Sequence, residues 1–236
     1  MEQYINNYKN FNKTFIYFFN MQFGGIGDYI KYFMITLTEC MDNNIKFYYK
    51  INNIEFEKYI KPKYDILNIR ENEISKLTNI SMKEPCNYFG DKTHYNYKVN
   101  IDEVFIFDDI VKENVKNLLP SIPSNYISIH VRLGDKYLET DKKFIFCVND
   151  SRCYSDEKIY NFINDNSNNN IILFSDNHSY KVKLKDMYNN IIITNAQIGH
   201  TSLLNTSSKQ ILDAVTEFYI LSNSKLIYGA SYSGFS

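Results

Sequence analysis

Two segments near the start of the chain differ in how their apolar residues are spaced. The first is a dense apolar run typical of a strand, the second has helical spacing, and a glycine-rich turn lies between them. Residues 14–23 are dense in β-branched and aromatic side chains, which is typical of a buried strand. From residue 29 to residue 41, apolar side chains recur at the spacing of one helix face: Ile30, Phe33, Met34, Leu37 and Met41. The pattern predicts a strand, a turn and a helix, with Asp28 as the helix N-cap.

The same alternation of strand-like and helix-like segments continues to the end of the chain. Predicted strands cover residues 45–49, 104–107, 126–131, 171–174, 191–194 and 226–228. Predicted helices cover residues 110–119, 155–164, 179–188 and 209–222, with Asp108 and Ser155 as N-caps of the first two. Residues 51–100 give only short, weak pieces of either kind. Strands that alternate with helices indicate an α/β fold with a mostly parallel sheet.

Two prolines separate the halves of this pattern. Pro120 and Pro123 stand among serines directly after a predicted helix, and prolines at this spacing end a helix and favour a hinge or linker. The sequence therefore predicts an N-terminal α/β domain over residues 1–120 and a C-terminal Rossmann-like domain over residues 124–236.

Composition limits the classes of function. The chain has 236 residues, a formal net charge of −1, 44% hydrophobic and 22% charged residues, which is the balance of a globular protein. The near-zero charge argues against nucleic-acid binding. Four cysteines at positions 40, 86, 147 and 153 form no CxxC pair, which argues against a disulfide scaffold or a structural zinc site. The 21 tyrosines and 17 phenylalanines, with no tryptophan, are interpreted as a bias of genome composition.

No segment has the features of a membrane span or a secretion signal. The most apolar early run, residues 15–23, is far shorter than a spanning helix, which needs ~20 residues. It has neither a basic region before it nor a small-residue cleavage site after it. We therefore expect a soluble, cytoplasmic protein without a membrane segment.

One run of polar residues follows a predicted buried strand, at the edge where open α/β sheets bind ligands. It reads Ile129-His130-Val131-Arg132-Leu133-Gly134-Asp135-Lys136. His130 and Arg132 point the same way because they are two apart on a strand. The planar guanidinium suits phosphate oxygens, and Gly134 allows the backbone to approach a ligand closely. The alternative is an arginine–aspartate pair that stitches the loop, with His130 as a packing residue.

A second run, Gly24-Gly25-Ile26-Gly27-Asp28, lies between the first predicted strand and helix. Its backbone N–H groups and the helix N-terminus are suited to an anion. The run is not a dinucleotide fingerprint, because Ile30 stands at the third glycine, and no Gly-Lys-Ser/Thr of a P-loop follows. A simple tight turn is the alternative.

Two further runs have polar residues after predicted strands. Ser175-Asp176-Asn177 ends one strand and caps the next helix. The last 16 residues, 221–236, give the end of a helix, a short strand and a Gly/Ser-rich turn that can cradle a phosphate. A plain helix cap and a flexible polar tail are the alternatives.

Together the four runs resemble the superfamily of α1,2-, α1,6- and protein-O-fucosyltransferases. The Gly-rich turn from Gly24 to Asp28 is similar to its G-G-x-G-[ND] turn, and the run from His130 to Asp135 is similar to its H-x-R-x-G-D motif. Ser175-Asp176-Asn177 resembles its S-D strand end, and the segment from Glu217 to Ser236 resembles its closing D-x-x-x-L-S…S-x-F-S run. Leu133 stands where the family often has a second arginine.

The resemblance implies a GT-B-like fold of two Rossmann-like domains with mostly parallel sheets and a reduced N-terminal domain. The C-terminal domain is then expected to bind GDP-fucose and the N-terminal domain to face a glycan or protein acceptor. Transfer in this family inverts the sugar and needs no metal or other cofactor.

The resemblance also implies roles for individual residues. Arg132 matches the arginine that holds the β-phosphate, and Glu217 stands where the family usually has an aspartate on guanine, with Asp213 as the fallback. The remaining donor-binding residues implied are Gly24, Gly25, Gly27, His130, Asp135, Lys136, Asp176, Ser233, Gly234, Phe235 and Ser236. Glu139 is the first candidate for the general base and Asp28 the second. A same-fold transferase with another nucleotide sugar, or a non-catalytic GDP- or glycan-binding module, are the alternatives.

Overall fold

The computed structural model describes residues 1–20, 24–51, 55–83, 97–139, 149–201 and 206–233. The chain forms two compact units, Met1–Ile106 and Phe107–Ser236. The Pro120–Pro123 segment lies within the second unit, between its first helix and first full strand, whereas the sequence predicts a boundary there. Within the described residues, no helix combines the length and apolar character needed to cross a bilayer.

The first unit contains two small sheets. In chain order its elements are α1 (Glu2–Asn6), β1 (Thr14–Phe19), α2 (Ile26–Asp42), β2 (Lys46–Ile51), β3 (Ile60–Pro62), α3 (Glu71–Ile74), β4 (Ile80–Lys83), α4 (Ile101–Val104) and β5 (Phe105–Phe107). The strand β1 lies between β2 and β4 and is parallel to both, and β3 pairs with β5.

Aromatic side chains build the core of this unit. Tyr17 and Phe19 on β1, Tyr29 and Phe33 on α2, and Phe47 on β2 are all buried. The rings of Phe33 and Phe47 lie edge to face, with centroids 4.8 Å apart. Edge-to-face pairs contribute beyond the area they bury, so the aromatic content of the sequence has a packing role here.

The second unit is a parallel sheet with helices on both faces. Its elements are α5 (Asp109–Leu118), β6 (Ile127–Val131), α6 (Asp156–Asp165), β7 (Ile171–Ser175), α7 (His178–Met187), β8 (Ile191–Ile193), α8 (Ser208–Ser222) and β9 (Ile227–Gly229). All four strands are parallel, in the order β8-β7-β6-β9. The α/β class and the mostly parallel sheets predicted from the sequence are thus confirmed.

Alternate residues of the strands enter two separate cores. Ile127, Ile129 and Val131 on β6 pack with Ile159 and Leu184 of the helices α6 and α7. On the other face, Ile172 and Phe174 of β7 pack with Ile220 and Leu221 of α8. The central strands β6 and β7 are therefore buried on both sides, which explains their continuous apolar runs in the sequence.

The strand order fixes where a ligand can bind. The chain runs outward from β6 to β7 and β8, and then returns to place β9 on the opposite side of β6. The order reverses between β6 and β9, and open α/β sheets bind ligands at the carboxyl ends of the strands beside such a reversal.

Helix caps agree with the sequence at Asp108 and Ser155, two of the three N-cap positions predicted, and the run at residues 175–177 supplies the cap of α7. Asp108 accepts from Ile110 N–H, Ser155 from Lys158 N–H and Asn177 from Tyr180 N–H. The prediction for α2 is wrong, because its N-cap is Gly25 and Asp28 lies within the first turn. A glycine is an acceptable N-cap, so the helix begins at Ile26, two residues before the carboxylate.

Candidate functional site

Five of the residues predicted as a site line one cavity of about 80 Å³. The cavity lies at the carboxyl ends of the strands in the sheet of the second unit. By the same measure a water needs roughly 10–15 Å³, so the cavity has room for a small polar group. These residues come from four separate parts of the chain: His130, Arg132, Asp176, Glu217 and Ser233. Phe174 and Ser175, from the same run as Asp176, also line it, and the structure adds four residues that the sequence reasoning missed: Gln197, Ile198, Gly199 and Ala214.

The ends of β6 and β9 are joined at the point where the strand order reverses. The N–H of Ala230 donates to the carbonyl of His130 at 2.9 Å, which continues the ladder beyond β9. The N–H of Arg132 donates to Ser231 Oγ at 2.7 Å. Ser231 therefore lies beside the loop that carries Arg132.

Asp176 fixes the loop that carries Arg132. Its two carboxylate oxygens accept from the N–H groups of Leu133, at 2.7 Å, and Gly134, at 2.9 Å. Burial raises the pKa of Asp176, although these two hydrogen bonds and the Arg132 charge act in the opposite direction. Both oxygens are occupied within the protein, so the side chain positions the loop.

The close approach allowed by Gly134 is to another part of the protein. Gly134 has φ of +105°, and a Cβ there would lie 2.5 Å from the carbonyl oxygen of Asp150. The loop after β6 packs directly on the backbone of that residue, and the N–H of Lys136 donates to the same carbonyl at 3.0 Å. The expectation that Gly134 serves the approach of a ligand is replaced by this contact.

Arg132 combines the two alternatives left open by the sequence. Its side chain is 22% exposed, and Nη2 lies 2.7 Å from Oδ1 of Asp135, so the stitching ion pair exists. Carboxylate oxygens of Asp150 and Asp176 lie 4.0 Å from the guanidinium. Within the described residues, its buried Nε has no hydrogen-bond acceptor. The arginine lines the cavity and still has donors for an anion.

His130 is a neutral group at this site. It lies on the buried strand β6, with its side chain on the cavity. Burial, with the nearby Arg132 charge, lowers the pKa of His130 to about 3. The imidazole therefore offers a neutral donor and acceptor near pH 7 and adds no positive charge for a phosphate.

Glu217 reaches the cavity from the middle of α8. Its Oε1 accepts from the Thr194 hydroxyl and lies 3.4 Å from Nζ of Lys181. Lys181 and Thr194 are fully buried. Neither was predicted from the sequence, since α7 carries three lysines at alternate positions and the apolar pattern does not indicate which is buried.

Asp213 is not at the cavity. It is fully buried and accepts from Asn114 Nδ2 at 3.0 Å, from the N–H of Gln197 at 2.9 Å and from Lys209. The carboxylate therefore ties α8 to α5 and fixes the start of the segment that lines the cavity. Glu217 and Asp213 are one helical turn apart, and only Glu217 lines the cavity. Asp213 instead holds the surrounding elements together through its hydrogen bonds.

Three other candidates in this unit do not line the cavity. Asp135 is occupied by Arg132, and the Lys136 side chain is exposed. Glu139 is exposed and accepts from the N–H of Ser179 at 3.0 Å, at the start of α7. Slight burial acts to raise the pKa of Glu139, but the hydrogen bonds from Ser179 outweigh it, and the pKa is lowered. A lowered pKa makes this carboxylate a weaker base.

The glycine-rich run of the first unit is a strand-to-helix turn. Gly24 has φ of +127°, and the Asp28 side chain packs against the position where a Cβ would lie. Gly25 caps α2, Gly27 lies inside its first turn, and Asp28 pairs with Lys31 at 3.3 Å. Gly234, Phe235 and Ser236 lie outside the described residues.

Comparison with known proteins returns no match. No protein-family model matches the sequence, no curated protein matches it significantly, and no solved structure matches it significantly. In the part of the chain that the structure describes, no group of three or more His, Cys, Asp or Glu side chains is arranged to hold a metal ion. The case for a function therefore depends on the cavity and on the motifs that line it.

Proposed function

We propose that the chain is an inverting glycosyltransferase that transfers fucose from GDP-fucose to a hydroxyl of a glycan or protein. One observation supports it above the others. Three of the four sequence runs that were singled out separately contribute His130, Arg132, Asp176, Glu217 and Ser233 to one cavity at the reversal of strand order. The fourth run, Gly24 to Asp28, lies in the first unit. We further propose a GT-B arrangement, in which the second unit binds the donor and the reduced first unit faces the acceptor.

The proposed chemistry requires stabilisation of a leaving phosphate. The acceptor oxygen forms a bond to C1 of fucose while the bond from C1 to the β-phosphate oxygen breaks, and negative charge builds on GDP. Donors of Arg132 that Asp135 does not occupy are suited to that charge. By analogy with oxyanion sites, one such donor contributes roughly 3–4 kcal/mol of transition-state stabilisation.

The acceptor proton must pass to a base. Glu139 is the weaker candidate, because its pKa is lowered and it is hydrogen-bonded to the start of α7. Asp28, on the first turn of α2, is therefore the carboxylate that we propose to test first. Asp28→Asn should lower kcat and leave GDP affinity unchanged if this side chain accepts the proton.

A ligand screen followed by a product assay tests the proposal. A ligand that binds only the folded state adds about 2.7 kcal/mol of stability at ~100 times its dissociation constant. GDP and GDP-fucose are expected to raise the melting temperature, whereas UDP is not. Incubation with GDP-fucose and a panel of glycans is then expected to release GDP and form a fucosylated product. Stabilisation by UDP in place of GDP would indicate the same fold with another nucleotide sugar.

A non-catalytic nucleotide-binding module is the second candidate. It is favoured by the Arg132–Asp135 pair, which neutralises the cation in the absence of ligand, and by the lowered pKa of Glu139. Such a module would be stabilised by GDP but would release no GDP from GDP-fucose with any acceptor. The two assays together distinguish the candidates.

A further inference from the structure

A fully buried lysine lies behind the acidic wall of the cavity. Nζ of Lys181 is 3.4 Å from Oε1 of Glu217 and 3.4 Å from Oγ1 of Thr194. The lysine comes from the first turns of α7, the threonine follows β8, and the glutamate is on α8. Removing an ammonium group from water is costly unless a partner charge compensates, so the lysine and the glutamate belong together energetically.

One carboxylate oxygen of Glu217 is occupied by partners within the protein, and the other is available to a ligand. Oε1 faces Lys181 and accepts from the Thr194 hydroxyl. In the part of the chain that the structure describes, Oε2 receives no hydrogen bond, and the side chain lines the cavity. A ligand in the cavity therefore meets a carboxylate whose rotation is fixed and which presents one acceptor oxygen.

We infer that Lys181 is a positioning residue that sets the base preference of the cavity through Glu217. This inference rests on the proposed binding of a nucleotide diphosphate. Lys181 does not line the cavity, so its effect passes through the charge and orientation of the carboxylate. A base with an N–H at the position of purine N1 donates to Oε2. Adenine has an acceptor nitrogen at that position. Its lone pair therefore meets the lone pairs of Oε2, and no hydrogen bond forms.

The single acceptor gives a specific ordering of ligands. Guanine and hypoxanthine both carry the N1–H, and only guanine has the 2-amino group. With Oε1 occupied inside the protein, the 2-amino group has no second carboxylate oxygen to reach. GDP and inosine diphosphate are therefore expected to bind about equally, and both more tightly than ADP.

The test is the Lys181→Met variant, which keeps much of the side-chain length and removes the charge. Isothermal titration of the full chain with GDP, inosine diphosphate and ADP gives the preference directly. We expect the GDP-over-ADP ratio to fall about tenfold in the variant, the size of one charge-assisted hydrogen bond. Lys185→Met is the matched control, because Lys185 is exposed on the same helix, and its ratio should equal that of the wild type.

A double-mutant comparison separates positioning from simple support of the fold. If Lys181 acts through Glu217, then Lys181→Met in a Glu217→Gln background produces no further fall in the ratio. A purely structural lysine would lower the affinity for all three nucleotides alike and leave the ratio unchanged, which overturns the inference. Thr194→Val serves if the lysine variant does not fold. It removes one donor to the same oxygen and should also lower the ratio.

The outcomes distinguish this inference from the proposed function. Wild-type protein that binds none of the three diphosphates overturns the proposed function and the role of Lys181 with it. Wild-type protein that prefers GDP, with the same preference in Lys181→Met, overturns only the role of Lys181. A strong preference for GDP over inosine diphosphate in the wild type overturns the single-acceptor geometry.

Discussion

Nη2 of Arg132 donates to Oδ1 of Asp135, three residues later in the loop after β6, at 2.7 Å. The cation proposed to hold a phosphate is therefore already paired before a ligand arrives. A guanidinium has several N–H donors in one plane, and this pair occupies one of them. A phosphate can bind beside Asp135 without displacing it, and the loop geometry is set in advance by Asp176.

Arg132→Ala should abolish the proposed fucosyl transfer and weaken GDP binding while the protein stays folded. Arg132→Lys should be nearly as damaging, because an ammonium group cannot reproduce the planar fork. Isothermal titration with GDP and a product assay measure the two effects. Arg152→Ala is the matched control, since Arg152 binds Asp150 and does not line the cavity. Wild-type affinity in a folded Arg132→Ala protein would show that this arginine does not hold the phosphate.

The proposed fucosyl transfer should continue in excess chelator. The reason is the family resemblance, which implies that arginine and backbone amides stabilise the leaving group without a metal ion. The measurement is the initial rate of GDP release from GDP-fucose with and without EDTA. A rate that falls in chelator and returns with magnesium or manganese would contradict this prediction.

The sequence was sufficient for most of the second unit because its central strands, β6 and β7, are buried on both faces. A strand was predicted over residues 126–131 and is found at Ile127–Val131, and the helix predicted over 209–222 is α8, Ser208–Ser222. The sequence indicated His130, Arg132 and Asp176 because they are polar residues at the ends of such strands, and all three line the cavity. The sequence could not indicate Lys181, because tertiary packing decides which lysine of α7 is buried. That choice depends on the neighbouring elements β8 and α8.

The sequence also could not indicate which face of α8 points to the cavity. Asp213 and Glu217 are one turn apart, and the sequence pattern gives them nearly the same face. The structure separates them, because Asn114 on α5 captures Asp213 and leaves Glu217 to the cavity. The segment from Gln197 to Gly199 is irregular, so no periodic pattern indicated its place beside the cavity.

Asp213→Ala should destabilise the second unit without changing base preference directly. The substitution leaves the buried Asn114 amide and the N–H of Gln197 without their acceptor. A buried donor left unpaired costs roughly 1–3 kcal/mol, so the free energy of unfolding should fall by at least that amount. Urea unfolding measures it. A variant as stable as the wild type would show that the polar contact between α5 and α8 is dispensable.

His130 should make stability depend on pH. The pKa of His130 is lowered from 6.5 to about 3 by burial, with the Arg132 charge adding to the effect. Below pH 6.5 the unfolded chain takes up a proton that the folded protein refuses until about pH 3, so stability is lost as the pH falls through this window. The slope from this group approaches about 1.4 kcal/mol per pH unit.

The measurement is urea unfolding of the wild type and of His130→Gln at several pH values between 7.5 and 5. The quantity compared is the slope of the free energy of unfolding against pH. Glutamine does not titrate, so the free energy of unfolding of the variant should fall less steeply on acidification, whatever its stability at neutral pH. Parallel curves for the two proteins would show that His130 takes up a proton in the folded state as readily as in the unfolded chain, so that its pKa is not lowered.

Glu217→Gln should reduce the preference for GDP over ADP and leave phosphate binding largely intact. The carboxylate offers an acceptor to the guanine N1–H, whereas adenine presents an acceptor of its own and leaves the charge unmatched. An unmatched buried charged group costs ~1–3 kcal/mol or more, which is about ten- to hundredfold in affinity. The amide of glutamine accepts or donates according to its orientation, so it accommodates either base.

Competition binding of Glu217→Gln with GDP, ADP and UDP gives the ratio, and a GDP titration at two salt concentrations checks that the phosphate contribution is unchanged. Asp213→Asn is the comparison one turn away, because its carboxylate is occupied by Asn114, Gln197 and Lys209 and does not line the cavity. If Glu217→Gln keeps the full preference while Asp213→Asn loses it, the guanine contact belongs to Asp213, and α8 must rotate when the nucleotide binds.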